Sequence, residues 1–198
     1  MNASAWSFVV GGLLLTCLAS FSWGMARFFA RPEGLLTGAK LIRMCGIGCA
    51  VLHFWSILFG SGLTPARAAL SAFLYTCALG EFWWAIRTNL ARPLSAVFSP
   101  DVPTFLMQQG PYRFVRHPFY ASYLTTWMAG FIATGALWLL PTLVVMFVLY
   151  FQAAQMEEAK FEASPLDREY RAYRMRAGLF LPRLIPTAFR NAFPEVSE

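Results

Sequence analysis

Apolar residues run in blocks of about 20 along this chain, the length a helix needs to cross a hydrocarbon core of ~30 Å. The blocks predict membrane spans over residues 6–25, 44–60 and 67–86. A further apolar stretch, 119–151, has 33 residues and as one helix would reach ~50 Å at about 1.5 Å per residue. Gly135, Trp138 and Pro141 mark a hairpin inside it. The stretch therefore splits into a fourth span, about 119–136, and a fifth, about 140–158. Gly46, Gly48 and Ala50 open the second span with small residues of the kind that let helices approach closely. Trp83 and Trp84 stand near the end of the third, where aromatic belts sit.

The connections differ in character. Residues 61–65 form a short turn, whereas 87–117 is long and carries Pro93, Pro100, Pro103, Gly110 and Pro111, which break continuous helix. Long structured loops of this kind are often functional. Residues beyond 161 are polar and basic, then turn aromatic over 179–193. No basic residue precedes the first apolar block, and Arg27 and Arg31 follow it, the reverse of a cleaved signal. The expected layout is a retained first span with the N-terminus outside. Five spans then place Arg27, Arg31, Lys40 and Arg43 inside, with Arg87, Arg92, Arg113 and Arg116, and with Lys160 and the arginines at 168, 171, 174, 176, 183 and 190. That is fifteen of the sixteen basic residues, with Arg67 alone outside, as the positive-inside rule asks. An unsplit 119–151 stretch would put the basic tail on the wrong side. The fold expected is all-α and polytopic: a single domain over 1–198, about five transmembrane helices, and a cytoplasmic C-terminal segment.

Composition supports this. The chain is 58% apolar and 13% charged, against about a quarter charged in a soluble domain. The net charge of +6 reports orientation and not nucleic-acid binding. Cys17, Cys45, Cys49 and Cys77 all lie within apolar blocks and read as packing residues, with neither a disulfide framework nor a metal set. His53 lies mid-span, and Glu81 lies about nine Å from the cytoplasmic end of the third span by helix rise. Ionisable groups at such depth are functional candidates. For His53 a neutral ring bonded to a neighbouring helix is the favoured reading. Glu81 is within reach of a cytoplasmic pocket.

The polar residues concentrate in Gly110–Tyr123, GPYRFVRHPFYASY, and in Glu157-Glu158. The two lie at the cytoplasmic ends of one helical hairpin and so can face each other. Pro118 suits the first turn of the fourth span and puts His117 at its cap, where free N–H groups and the helix dipole favour an anion. Tyr120 shares a face with His117, and Tyr123 follows a turn deeper. Glu157, Glu158 and Glu162 offer three carboxylates to hydroxyls or to a cation. Taken one at a time, these are ordinary interface anchors, belt tyrosines and solvated glutamates. Their order along the chain is what stands out.

Gly110, Tyr112, Arg116, His117, Pro118 and Tyr120 resemble the GxYxxxRHPxY signature of the isoprenylcysteine carboxyl methyltransferase family, to which phospholipid N-methyltransferases are more distant relatives. Glu157–Phe161 is similar to its EExxL element, and Glu169–Tyr173 with Pro182 to its EYxxY element and the proline that follows. The resemblance covers about residues 80–186; residues 1–65, the anchoring spans, carry no specific match. It implies an integral-membrane enzyme using S-adenosylmethionine and releasing S-adenosylhomocysteine, with a cytoplasm-facing pocket. By position the pocket would take in Thr104, Phe105, Leu106, Met107, Tyr112, His117, Pro118, Phe119, Tyr120, Glu157 and Glu158. Glu158 and Arg116 would be the catalytic residues, with no metal. In such a pocket the cofactor's carboxylate suits His117, the adenosine suits an apolar shelf over Phe105–Met107, and the sulfonium suits tyrosine faces. The acceptor would be lipophilic and enter from the bilayer, among membrane lipids, into a monomer in a bacterial inner membrane. Ser164-Pro165-Leu166-Asp167 stands where the family has Phe-Gly. Phe151, Gln152 and Gln155 occupy the neighbourhood of its substrate-facing arginine, so carboxylate, phenolic and amine acceptors all stay open. The alternatives are an NADPH-dependent enzyme of the sterol-reductase type, which shares a related RHPxY element, and a non-enzymatic membrane protein.

Overall fold

A computed structural model describes residues 3–28, 37–90 and 103–183. Arg31, Arg92, Pro93, Pro100, Arg190 and Phe193 fall outside them. Six α-helices form among the described residues: α1 (Ala3–Phe28), α2 (Thr37–Phe59), α3 (Pro65–Thr88), α4 (Pro118–Thr134), α5 (Leu140–Glu162) and α6 (Asp167–Arg176). Their one β-type pairing is an isolated parallel bridge between Val115 and Gly178. The protein is an all-α polytopic membrane protein. By length and composition Ala5–Phe28, Gly38–Phe59, Pro65–Thr88 and Leu137–Glu162 suffice to cross a membrane. α4 has 17 residues, about 25 Å by helix rise, and is the most enclosed of the long helices. Large apolar side chains such as Phe8, Trp55, Phe73 and Val144 point outward, as the surface of a bundle in lipid does.

Local chemistry explains the element ends. Thr64 caps α3, its hydroxyl accepting from the Arg67 N–H at 3.3 Å, and Pro65 occupies the first turn. α4 starts at Pro118 and stops at Gly135, whose φ of 60° is left-handed, a conformation glycine adopts without a Cβ penalty. A short 3-10 turn, Leu137–Leu139, leads into α5, so the hairpin turns where Gly135 and Pro141 place it. The Ser164–Asp167 stretch makes the turn into α6, with the Ser164 hydroxyl accepting from the Leu166 N–H at 3.1 Å.

Two sequence expectations need correction. Lys40 and Arg43 belong to the opening turns of α2 rather than to a loop; long basic side chains at a helix end reach back to the interface along their apolar stems. Gly46 and Gly48 are not close-approach points. A methyl at Gly48 would meet nothing within 4 Å, and one at Gly46 only Met146 at 3.8 Å. Close approaches are at Gly24, where a methyl would strike the Phe82 ring, and at Gly130, where it would strike His53 Nδ1 and come within 3.0 Å of the Tyr75 hydroxyl.

The main helix pair is α3 against α4, joined by small residues including Ala78, Ala85, Ala129 and Ala133 and by the Ser71 hydroxyl donating to the Ala129 carbonyl at 2.6 Å. Helices that cannot gain hydrophobic free energy in lipid associate through such close packing. α1 adds Val10, Leu14 and Cys17 to the same core. All four cysteines are free; Cys17 and Cys49 are buried, while Cys77 is exposed on the helix surface. His53 on α2 reaches Thr142 on α5 at 2.7 Å. The Thr142 hydroxyl donates to the Leu139 carbonyl, so the His53 Nε2–H is the donor to Thr142.

Candidate functional site

The two ends of the α4–α5 hairpin chain meet, and their polar residues interlock. His117 precedes α4, and its ring stands between two carboxylates of α5. Nδ1 is 3.2 Å from Glu157 Oε2 and Nε2 is 3.1 Å from Glu158 Oε1. Arg116 Nε donates to the same Glu158 oxygen at 2.8 Å, with side-chain exposures of 7% and 4%. Tyr120, one turn into α4, donates its hydroxyl to Glu157 Oε1 at 2.7 Å. Burial alone would lower the His117 pKa, but the hydrogen bonds and charges of Glu157 and Glu158 outweigh it and raise the pKa above the ordinary histidine value. A neutral ring has one N–H for two carboxylate neighbours, whereas an imidazolium has one for each.

A segment after α6 fixes this arrangement from outside. The Arg116 and His117 amides donate to the carbonyls of Gly178 and Leu179 at 2.7 and 3.2 Å, and the Gly178 amide donates back to the Phe114 carbonyl. Arg116 NH1 donates to the Ala177 carbonyl at 2.7 Å. Arg116 thus clamps Glu158 and the 177–179 strap together. Arg174, on α6, lies 3.9 Å from Glu158 Oε2 and pairs with Glu162 at 2.7 Å.

Behind the charges stands an aromatic wall. Tyr120 stacks on His117 at 5.7 Å and on Tyr150 at 5.4 Å, and Tyr123 meets Tyr120 and Tyr150 at 6.2 and 5.5 Å. Three buried polar atoms here have no hydrogen-bond partner: Tyr123 Oη, Glu158 Oε2 and Tyr170 Oη. Burial raises the Tyr170 pKa and the nearby Glu158 charge adds to it, so the hydroxyl keeps its proton. Unpartnered buried groups cost free energy, and of the three Tyr170 and Glu158 lie close enough to interact.

The structure brings together Arg116, His117, Pro118, Tyr120, Glu157 and Glu158. It sends the other sequence candidates elsewhere. Phe119 turns to α3 and packs on Phe82 at 5.5 Å. Tyr112 is a tie in the core: Asn89 Nδ2 donates to its hydroxyl at 2.9 Å, and Tyr173 donates to its carbonyl at 2.8 Å. Gly110 before it has a φ of +57°, and a methyl there would strike Thr88. Thr104 is exposed and Phe105 half-buried. Leu106 packs with Tyr170 and Tyr173, and Met107 with the Phe82 cluster. His117 makes no side-chain cap on α4; its ring turns to Glu157 and Glu158 instead. Glu81 is half-buried and joins none of these contacts. Sequence reasoning missed Arg174, Tyr150, Tyr170 and Phe180. Tyr170 lay within the EYxxY element, but nothing local pointed the strap at His117. A cavity of about 370 Å³ between Trp55, Ser56, Gly62, Thr134 and Trp138 opens at the opposite end of the bundle and holds no comparable set of charges.

Fold and site together define a polytopic α-helical membrane protein with a buried ion-paired cluster at one end of a helix hairpin. Residues 65–164 match the phospholipid methyltransferase family, half of the chain, and the chain belongs to that family. The matched region starts with α3 and ends beyond the two glutamates, so it contains most of the site. The membership supports a membrane-embedded methyltransferase and is the broader family within which the isoprenylcysteine carboxyl methyltransferase resemblance falls. No individual curated protein matches the sequence.

Proposed function

We propose that the chain is an S-adenosylmethionine-dependent methyltransferase acting on a lipophilic acceptor, an isoprenylcysteine-type carboxylate or another small lipid. The observation that carries this is the meeting of His117 and Tyr120 with Glu157 and Glu158, in a chain of the phospholipid methyltransferase family. The donor set fits the cofactor's chemistry. A sulfonium is attracted to tyrosine faces by cation–π interaction, and Tyr120, Tyr123 and Tyr150 supply three. Its amino and hydroxyl groups would find Glu157, whose side chain is 30% exposed, and the neighbouring Glu158 and Tyr170 oxygens. When bound, the cofactor supplies an electrophilic methyl and keeps the electron pair of the broken bond on sulfur.

The chain's own residues act by placement. Arg116 and His117 neutralise Glu158, so the site carries no large excess of one sign. Tyr120 holds Glu157 against His117 and closes the aromatic wall. An acceptor that is already an anion needs orientation and exclusion of water more than it needs a base. The site faces the cytoplasm, a reading that the basic residues around this end support; the protein sits in the inner membrane of a bacterium, with the N-terminus outside and as a monomer among lipids. Nothing in the family match favours the reductase alternative.

The test is transfer of a labelled methyl group from S-adenosylmethionine into total membrane lipids by the purified protein. A labelled lipid product is expected. Absence of product together with binding of NADPH would replace this reading with the reductase one.

A further inference from the structure

The strap that follows α6 does more than hold Arg116. Gly178 turns so tightly that a methyl on it would strike the Leu181 carbonyl, and this turn delivers the Phe180 ring to the site. Phe180 meets His117 at 6.2 Å and Tyr120 at 6.3 Å, both edge-on. On its other side it meets Phe147 of α5 at 6.1 Å, also edge-on. Phe147 in turn stacks on Phe151 at 6.0 Å. Those last two rings are 48% and 40% exposed, on a helix whose outward side chains face lipid. One continuous run of aromatic contacts thus leads from the outer surface of α5 to the ion-paired cluster, and Phe180 stands at its inner end.

We propose that Phe180 is the specificity gate for the acceptor. An apolar chain with a small polar head lies along Phe147 and Phe151, and its head passes the Phe180 ring to reach Tyr120 and Tyr150. The gate is a fixed wall and not a loose flap. The two residues before it, Gly178 and Leu179, are tied to residues 114–117 by three backbone hydrogen bonds, and the Phe180 ring packs with the Trp127, Met146 and Tyr150 cluster. Its size therefore sets what enters. The proposal rests on the methyltransferase reading, since the head must arrive beside the cofactor.

The test uses the full chain in detergent and palmitic acid bearing a photoreactive diazirine on its chain. In the wild type, irradiation is expected to label the Phe147–Phe151 peptide and to spare Tyr120 and Tyr150. Phe180→Ala is expected to raise labelling of Tyr120 and Tyr150 several-fold while S-adenosylhomocysteine still raises its melting temperature; Phe180→Trp is expected to leave those two tyrosines unlabelled. Should the alanine variant fail to fold, Phe180→Leu carries the same expectation with a smaller gain. Unchanged labelling of Tyr120 and Tyr150 in a folded, truncated variant overturns the gate. A wild type indifferent to S-adenosylhomocysteine, with labelling that still tracks residue 180, overturns the methyltransferase reading and leaves the access route standing.

Discussion

The chain has two histidines, and their surroundings are opposites. His53 is fully buried in the helix bundle, and its hydrogen-bond partner is the hydroxyl of Thr142. Its other nitrogen, Nδ1, is buried against Gly130 without a partner. His117 stands at a helix start between two carboxylates, with an arginine on one of them. The first is a neutral pin between α2 and α5. The second is part of a charged cluster beside buried polar atoms that make no hydrogen bond. Burial does not separate the two, since both rings are enclosed; the charge of the neighbours does.

The sharpest way to break this contrast is to strip the charge partner at the site. Arg116→Ala leaves Glu158 buried beside fewer cations and is expected to destabilise the protein by ~3–5 kcal/mol, the cost of breaking a buried pair. Chemical denaturation in detergent reads it. Arg116→Ala with Glu158→Ala together should cost less than the two single changes summed, because the uncompensated charge is gone.

Next in size is the pin. Thr142→Val removes the acceptor of the buried His53 N–H and is expected to cost ~1–3 kcal/mol, with binding of S-adenosylhomocysteine unaltered. A loss of binding would make His53 part of the site.

The third effect is a pH dependence with a definite sign. The His117 pKa is raised on folding, so its contribution to stability is fully present below the unfolded value of about 6.5. It is lost as the pH rises through the higher folded value. Wild-type melting temperature should therefore fall between neutral and mildly alkaline pH more steeply than that of His117→Gln. Parallel curves would mean that the ring is neutral at its two carboxylates. The smallest effect belongs to the rim: Arg174 and Glu162 are 45% and 42% exposed, and Glu162→Gln is expected to cost at most ~1 kcal/mol.

These differences also explain what the sequence disclosed. The hairpin was legible because Gly135 and Pro141 are local breakers in an apolar run too long for one span. The meeting of His117 with Glu157 and Glu158 followed from that hairpin and the count of basic residues. The reading of His53 as a ring bonded to a neighbouring helix rested on its depth, and Thr142 supplies the partner. The strap was not legible. Its contacts join Arg116 to Ala177 and His117 to Leu179 through backbone carbonyls, which every residue carries and no pattern marks. Tyr112, chosen for its place in a motif, proved to be tied to the Asn89 side chain through its hydroxyl and to Tyr173 through its backbone carbonyl. The apolar block from residue 44 missed the start of α2 at Thr37, because the long stems of Lys40 and Arg43 let the helix run on through charge.

The most direct measurement is calorimetric titration of S-adenosylhomocysteine into the wild type, His117→Ala and His53→Gln. The account predicts equal binding by the wild type and His53→Gln, and at least tenfold weaker binding, ~1.4 kcal/mol, by His117→Ala. Undiminished binding by His117→Ala, or none by the wild type, would contradict it.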